Sequence, residues 1–185
     1  KRVRFDRPRL AIKAGLAYAT EDRKRNGLVL IQDIRFNITI AALEKLTNGG
    51  MLNQNEEIKV ANEFKDSVNI KAPSIQQVVK NLSGGNQQKV SLAKWLFAEP
   101  RVLILDEPTR GIDVGAKYEI YTLMNYLIER GMSIVMISSE LLEILGMSDR
   151  LYVLSEGGIA GEILAKDATE QKVMAMATKT QEAPV

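Results

Sequence analysis

The sequence predicts an α/β fold built on a mostly parallel sheet, and three features point to it. Val102-Leu103-Ile104-Leu105 is a continuous apolar run bounded by Pro100 and Pro108, the pattern of a fully buried parallel-type strand. Residues 132–137 (MSIVMI) form a second apolar run, and a helix-periodic segment lies between the two. Strand-like runs joined by helical crossovers are what a parallel sheet requires.

The elements follow in chain order. Residues 1–9 hold five basic residues and read as a solvated edge. Leu10 to Ala14 predicts a short helix ending at Gly15, then residues 15–20 (GLAYAT) a strand, then an exposed charged loop from Glu21 to Gly27. From Asn37 to about Leu82 the pattern is helical. Ile38, Ile40, Ala41, Leu43 and Leu46 predict one helix that Asn48-Gly49-Gly50 stops, and residues 56–68 predict a second. After Gly84, the spacing of Val90, Ala93, Leu96 and Phe97 gives a helix with a core-facing stripe, with Trp95 as packing. Asp113 to Arg130 predicts another, with Ile120, Leu123, Met124, Leu127 and Ile128 on one face and Gly131 as cap. A short helix is expected after Ser138-Ser139-Glu140. A hairpin is expected around residues 156–158, and a last helix over 169–177 with Thr169 at its N-cap. Beyond Lys179 the tail is expected to fray.

Composition narrows the functional classes. With 185 residues, 45% apolar and 26% charged, the chain suits one globular domain with room for a subdomain. A net charge of +2 argues against nucleic acid as a partner. The absence of cysteine excludes disulfides and thiolate metal sites, and the absence of histidine removes the usual general base. No apolar run approaches the roughly 20 residues of a membrane span, and no signal-peptide core is present, so a cytoplasmic chain is expected. Without an initiator Met, the sequence reads as a piece of a longer polypeptide.

Two clusters carry chemistry. Leu82-Ser83-Gly84-Gly85-Asn86 opens an amphipathic helix. Its glycines can let backbone N–H groups approach an anion at the positive end of the helix dipole, and Ser83 can cap the helix or donate to a phosphate oxygen. Asp106 and Glu107 close the Val102–Leu105 run. An aspartate there can hold Mg²⁺ through water beside a bound triphosphate, and a neighbouring glutamate can orient or deprotonate the attacking water.

The order NLSGGNQQK, VLILDEP and TRGID resembles the signature motif, Walker B strand and D-loop of an ATP-binding cassette (ABC) ATPase. EDRKRNG, LSGGNQQK, LDEPTRGIDVGAKYEIY, ISSEL and GMSDR resemble, more narrowly, the second cassette of importers for ribose, xylose, arabinose or galactose. The resemblance covers nearly the whole chain and implies a partial P-loop NTPase fold, with an inserted helical subdomain and the Walker A strand missing. It divides the chain into a Q-loop strand and loop (10–36), the helical subdomain (37–82), the remaining core (83–165) and a C-terminal helix and tail (166–185).

The resemblance also implies the site. Ser83, Gly84, Gly85, Asn86 and Gln87 would bind ATP held by a partner cassette. Asp106 would bind Mg²⁺ and Glu107 would act in hydrolysis, both on this chain's own nucleotide. Asp113, in the D-loop, would line the interface and can also cap its helix. Glu21 falls where most cassettes carry a metal-contacting glutamine, and Ser139 where most carry a γ-phosphate-contacting histidine; Ser139 reads equally well as an N-cap. The cofactors implied are ATP and Mg²⁺. The partners implied are a second cassette, head to tail, transmembrane permease subunits and, indirectly, a periplasmic sugar-binding protein. The location implied is the cytoplasmic face of the inner membrane. No Gly-x-x-x-x-Gly-Lys-[Ser/Thr] occurs, so the isolated chain is expected to be inactive. A non-catalytic binding module is the alternative. DNA-repair or ribosome-associated cassettes are disfavoured by the absence of a coiled coil and of a basic tail.

Overall fold

Proline in the first turn starts α1 (Pro8–Lys13), whose last residues lead through Gly15 into β1 (Leu16–Ala19). These belong to the first of two compact units into which the chain divides, one ending at Ile137 and the other beginning at Ser138. The computed structural model describes residues 3–178, so Lys1, Arg2 and the tail from Lys179 lie outside them.

The inserted segment is only partly helical: residues 69–78 form no helix, and its first part is not one helix. Asp33 caps α2 (Ile34–Thr39) by accepting from the Phe36 N–H at 2.8 Å. A 3₁₀ stretch (Ile40–Leu46) then kinks at Ala42, which has the non-helical angles φ −142° and ψ 42°. Asn48-Gly49-Gly50 does not stop a helix. It is the turn between β2 (Thr47–Asn48) and β3 (Met51–Leu52), and Gly49 and Gly50 supply the positive φ values, 57° and 82°, that the turn needs. Next comes α3 (Gln54–Ser67), capped by Asn53. Leu28, Ile34, Ile38, Leu46, Val68 and Val79 close a core on the following helix. Inside it Asn37 is fully paired with the Val29 backbone, and Thr39 donates to Glu57 at 2.9 Å.

That following helix, α4 (Gly84–Phe97), is buried on far more than the predicted stripe. Val90, Ala93 and Phe97 face the core, and Phe97 meets Phe64 edge to face at 5.9 Å. Gln87, Gln88, Lys89, Ser91 and Lys94 are buried as well. Trp95 is partly buried beneath the Lys94 ammonium, a packing role as expected.

β4 (Val102–Asp106) and β5 (Ser133–Ile137) flank α5 (Val114–Glu129) in the chain. They join β1 in one parallel sheet of order β1-β4-β5, with Leu105 opposite Ala19 and Met136. The α4 helix packs on β1 and α5 on β5. Ala17, Ala19, Leu103 and Leu105 are buried on one sheet face. β4 is not buried on both faces among the described residues. On its other face Ile104 is only half-buried, and its register neighbours Tyr18 and Val135 are exposed. Ile120, Met124 and Leu127 of α5 are buried as predicted, whereas Ile128 is 42% exposed.

The second unit holds α6 (Leu141–Met147), the predicted hairpin of β6 (Arg150–Ser155) and β7 (Gly158–Leu164), and α7 (Glu170–Ala177). Thr169 caps α7 through the Lys172 N–H. Leu151, Val153 and Val173 form its core.

Lys94 exposes what burial does to a charge. Its ammonium donates to the Gly27 carbonyl at 2.5 Å, and burial lowers its pKa to about 8. The unfolded chain therefore holds this proton more tightly than the folded one, so stability gains from rising pH between about 8 and about 10. Urea denaturation is expected to show this as roughly 2 kcal/mol that is present in the native sequence and absent in Lys94→Met. An equal pH dependence in the two proteins refutes it.

Candidate functional site

Asp106 ends the central strand of the parallel sheet, the position at which open α/β sheets bind ligands. Tyr18, on the neighbouring strand, donates its hydroxyl to Asp106 Oδ2 at 2.6 Å. That hydrogen bond, more than burial, raises the Tyr18 pKa above its ordinary value. Glu107 leaves the strand in the left-handed region at φ 47°. A glutamate held there costs on the order of 1–3 kcal/mol, and such residues cluster at functional sites. Two backbone hydrogen bonds hold it: its N–H donates to Ile137 at 2.8 Å, and its carbonyl accepts from Arg110 at 3.1 Å. Behind it Pro108 and Thr109 are fully buried.

Ser83 caps α4. Its Oγ accepts from the Asn86 backbone N–H at 3.4 Å and from Asn86 Nδ2 at 3.0 Å, which leaves its own proton to donate. Asn86 Oδ1 accepts from the Lys71 N–H at 2.8 Å. Gln87 is buried and donates to the Val79 and Leu82 carbonyls, so it ties down the turn. The two glycines have a packing role that their sequence pattern does not reveal. A Cβ on Gly85 would lie 2.6 Å from the Ala116 Cβ, and one on Gly84 would lie 3.0 Å from the Gly111 carbonyl. Asp113 caps α5 by accepting from the Ala116 N–H at 2.9 Å, which fixes the residue beneath Gly85. Between the two helix starts lies a hollow of about 200 Å³, lined by Ser83, Asn86, Asp113 and the Lys71–Glu119–Lys89 ion-pair group. Lys89, buried, also donates to the Asn69 carbonyl at 2.7 Å, and its hydrogen bond holds Glu119 below the usual carboxylate range.

The Glu21–Gly27 loop is exposed at Glu21, Lys24, Arg25 and Asn26, as its charges predict, but buries Arg23 and Gly27. It forms a π-helical turn (Arg23–Gly27). Arg23 is buried, donates to the Arg110 carbonyl at 3.0 Å, and has its pKa lowered by that burial. Glu21 forms an ion pair with the Arg110 guanidinium. Ser139 does not cap the next helix. Ser138 accepts from the Glu140 N–H at 3.0 Å and donates to Glu143, and the N-cap residue of α6 is Glu140.

Three groupings result: Asp106 with Glu107 and Tyr18, Ser83 to Asn86 against the Gly111–Asp113 turn, and Glu21 against Arg110, while Gln87 turns inward and joins none of them. Ser139 belongs to the second unit. Sequence reasoning missed Tyr18, Arg23 and Arg110. For Tyr18 the one signal is its outward place in a strand adjacent to that of Asp106.

Among the described residues no group of three or more His, Cys, Asp or Glu side chains gathers to hold a metal. A single carboxylate at a strand end fits Mg²⁺, which takes one or two carboxylates and fills its other positions with water and phosphate oxygens. It does not fit a structural zinc site.

Residues 7–110 match the ABC transporter family. An L-arabinose transport ATP-binding protein of Geobacillus stearothermophilus is 59% identical over 170 residues, covering 92% of this chain and 33% of that protein. A xylose import ATP-binding protein of Moorella thermoacetica is 57% identical over 96% of this chain and 35% of its own length. For a ribose import ATP-binding protein of Bacillus subtilis the identity is 50%, over 96% and 36%. The chain thus spans about a third of the length of these relatives. Among solved structures, a nucleotide-free ATP-binding cassette from an ABC transporter matches 93% of this chain and 68% of its own at TM-score 0.70 and 18% identity. A dimeric ATP-binding cassette in a post-hydrolysis state, bound to ADP and Pi, matches 81% and 62% at TM-score 0.68 and 21% identity. These two establish the cassette fold.

The Gly85–Ala116 contact yields a double-mutant test. Gly85→Ala is expected to destabilise the protein by about 1–3 kcal/mol through overpacking, and Ala116→Gly to recover most of it. Additive losses in a denaturant-melt cycle would show that the contact is not the cause.

Proposed function

The chain belongs to the ABC transporter family, and from that premise we propose that it forms most of a cassette coupling ATP hydrolysis to monosaccharide uptake. The observation that carries this reading is the Asp106-Glu107 pair at the end of the central parallel strand, with Glu107 held in a left-handed conformation. The names of the matched relatives, which carry arabinose, xylose or ribose, support the substrate class.

In this reading Asp106 would hold the magnesium ion of the nucleotide through water, and Glu21 would join it only by giving up its ion pair with Arg110. Mg²⁺ supplies neutralisation of the transferring phosphate. Glu107 orients or deprotonates the attacking water, a role worth about 10²–10⁴-fold in rate. Ser83, Gly84, Gly85 and Asn86 meet ATP held by a second cassette, head to tail, and the free Ser83 proton suits a phosphate oxygen; Gln87, expected beside them, is buried with its amide on the Val79 and Leu82 carbonyls and fixes the turn instead. Asp113 stands at that interface. The cradle for the β- and γ-phosphates comes from residues outside this sequence, which contains no P-loop motif. The half-open sheet face around Tyr18, Ile104 and Val135 is where such residues would pack. The cassette would dock at the cytoplasmic face of the inner membrane on transmembrane permease subunits, which a periplasmic sugar-binding protein serves.

One observation favours a slower variant of this reading. The residue after Ser138 is Ser139, and the sequence has no histidine to carry a proton at the γ-phosphate. The half-site served by this chain then mainly holds nucleotide, and the chain acts chiefly as a binding module.

In the full-length subunit assembled with its partners, Glu107→Gln is expected to lower phosphate release about 10²-fold or more while fluorescent ATP still binds. Unchanged turnover removes the role given to Glu107. Ser83→Arg is expected to stop hydrolysis at the partner's nucleotide, and normal turnover in that variant removes the trans assignment. Calorimetry on the 185-residue chain alone is expected to give no saturable Mg-ATP binding. Binding abolished by Asp106→Asn would mean that the phosphate cradle is built within it.

A further inference from the structure

The hydrogen bond from Tyr18 to Asp106 is not used by the mechanism above. Tyr18 sits opposite Ile104 in the parallel register, and Asp106 lies two residues further along β4 on the same sheet face. The Tyr18 side chain reaches forward along the sheet and ends 2.6 Å from Oδ2. Strand pairing of Tyr18 in β1 and of Asp106 with Ile137 of β5 fixes both Cα positions, so the hydroxyl restrains what is left to the aspartate, its two side-chain torsions.

The chemistry of the donor matters. A phenol is neutral, so it orients a carboxylate without cancelling the charge that a cation needs. An arginine or lysine at the same point would pair with Asp106 and compete with a metal. A hydroxyl-to-carboxylate bond of this length is also of the stronger, charge-assisted kind. Hydrogen bonds of this sort to metal-ligating carboxylates set both ligand orientation and metal affinity. We propose that Tyr18 is a positioning residue that holds the Asp106 carboxylate, through Oδ2, in the orientation that receives a divalent cation brought with the nucleotide. This rests on the reading of Asp106 as the Mg²⁺ ligand.

The test uses the full-length subunit, with Mn²⁺ as a paramagnetic probe and a non-hydrolysable ATP analogue. Tyr18→Phe removes one oxygen from a half-exposed ring, so the fold is expected to keep its melting temperature. The Mn²⁺ dissociation constant is expected to rise about tenfold, the low end for such partners, while affinity for the analogue in EDTA stays unchanged. Equal Mn²⁺ affinity in Tyr18→Phe and the native protein overturns the proposal. So does a parallel loss of metal-free nucleotide binding, which marks a merely structural role. Asp106→Asn separates the two levels: if that variant also binds Mn²⁺ normally, the reading of Asp106 fails, and the inference with it.

Discussion

Because α4 runs between the inserted helices and the parallel sheet, its polar side chains cannot reach water and must be met inside the protein. Leaving one such group unpaired costs about 1–3 kcal/mol. The partners found are backbone carbonyls of three different segments. Gln87 holds the turn before α4, Lys89 holds the inserted segment just after α3 at Asn69, and Lys94 holds the loop after β1 at Gly27. The helix is therefore a frame to which the Ser83 turn, the insert and the β1 loop are each attached. Gln87 still leaves one atom, Oε1, buried without a hydrogen bond, so even here the pairing is incomplete.

The same economy of attachment brings the loop after β1 and the segment after β4 together. Lys94 fixes the end of that loop at Gly27. From its middle Arg23 donates to the Arg110 carbonyl, and at its start Glu21 pairs with the Arg110 side chain. Arg110 precedes the Asp113 cap of α5 by three residues. The loop after β1 and the turn before α5 therefore share one anchor, Arg110.

How much of this was legible in the sequence follows from how local each cause is. Ser83, Asp113 and Thr169 mark helix starts because each accepts from an N–H three residues ahead, a relation visible in the sequence itself. The apolar runs 102–105 and 132–137 gave the parallel strands for the same reason. The kink at Ala42 had no such mark, since nothing around it breaks the helical pattern. Charges misled most. Arg23, Lys89 and Lys94 sit in polar strings that read as surface, and their partners lie far away; Gly27 is 67 residues from Lys94. The Tyr18–Asp106 bond spans 88 residues and depends on strand register, which periodicity alone cannot supply.

The Ser83-Gly84-Gly85 turn shows why a motif cannot be assigned to ligand binding by its residue types alone. Glycine there is open to two explanations: close approach of backbone N–H groups to an anion, or close approach of one helix start to another. At Gly85 the second holds whether or not nucleotide is present, because Ala116 already occupies the space that a Cβ needs. The first is left to Ser83, whose proton remains to donate, and to the hollow beside it. Loss of activity on replacing Gly85 therefore cannot by itself be charged to the anion. The helix start would shift, and the Ser83 hydroxyl with it, even if no backbone N–H ever touched phosphate. Within one turn, packing of Gly85 on Ala116 sets the geometry, and the Ser83 hydroxyl is held beside the hollow by that packing.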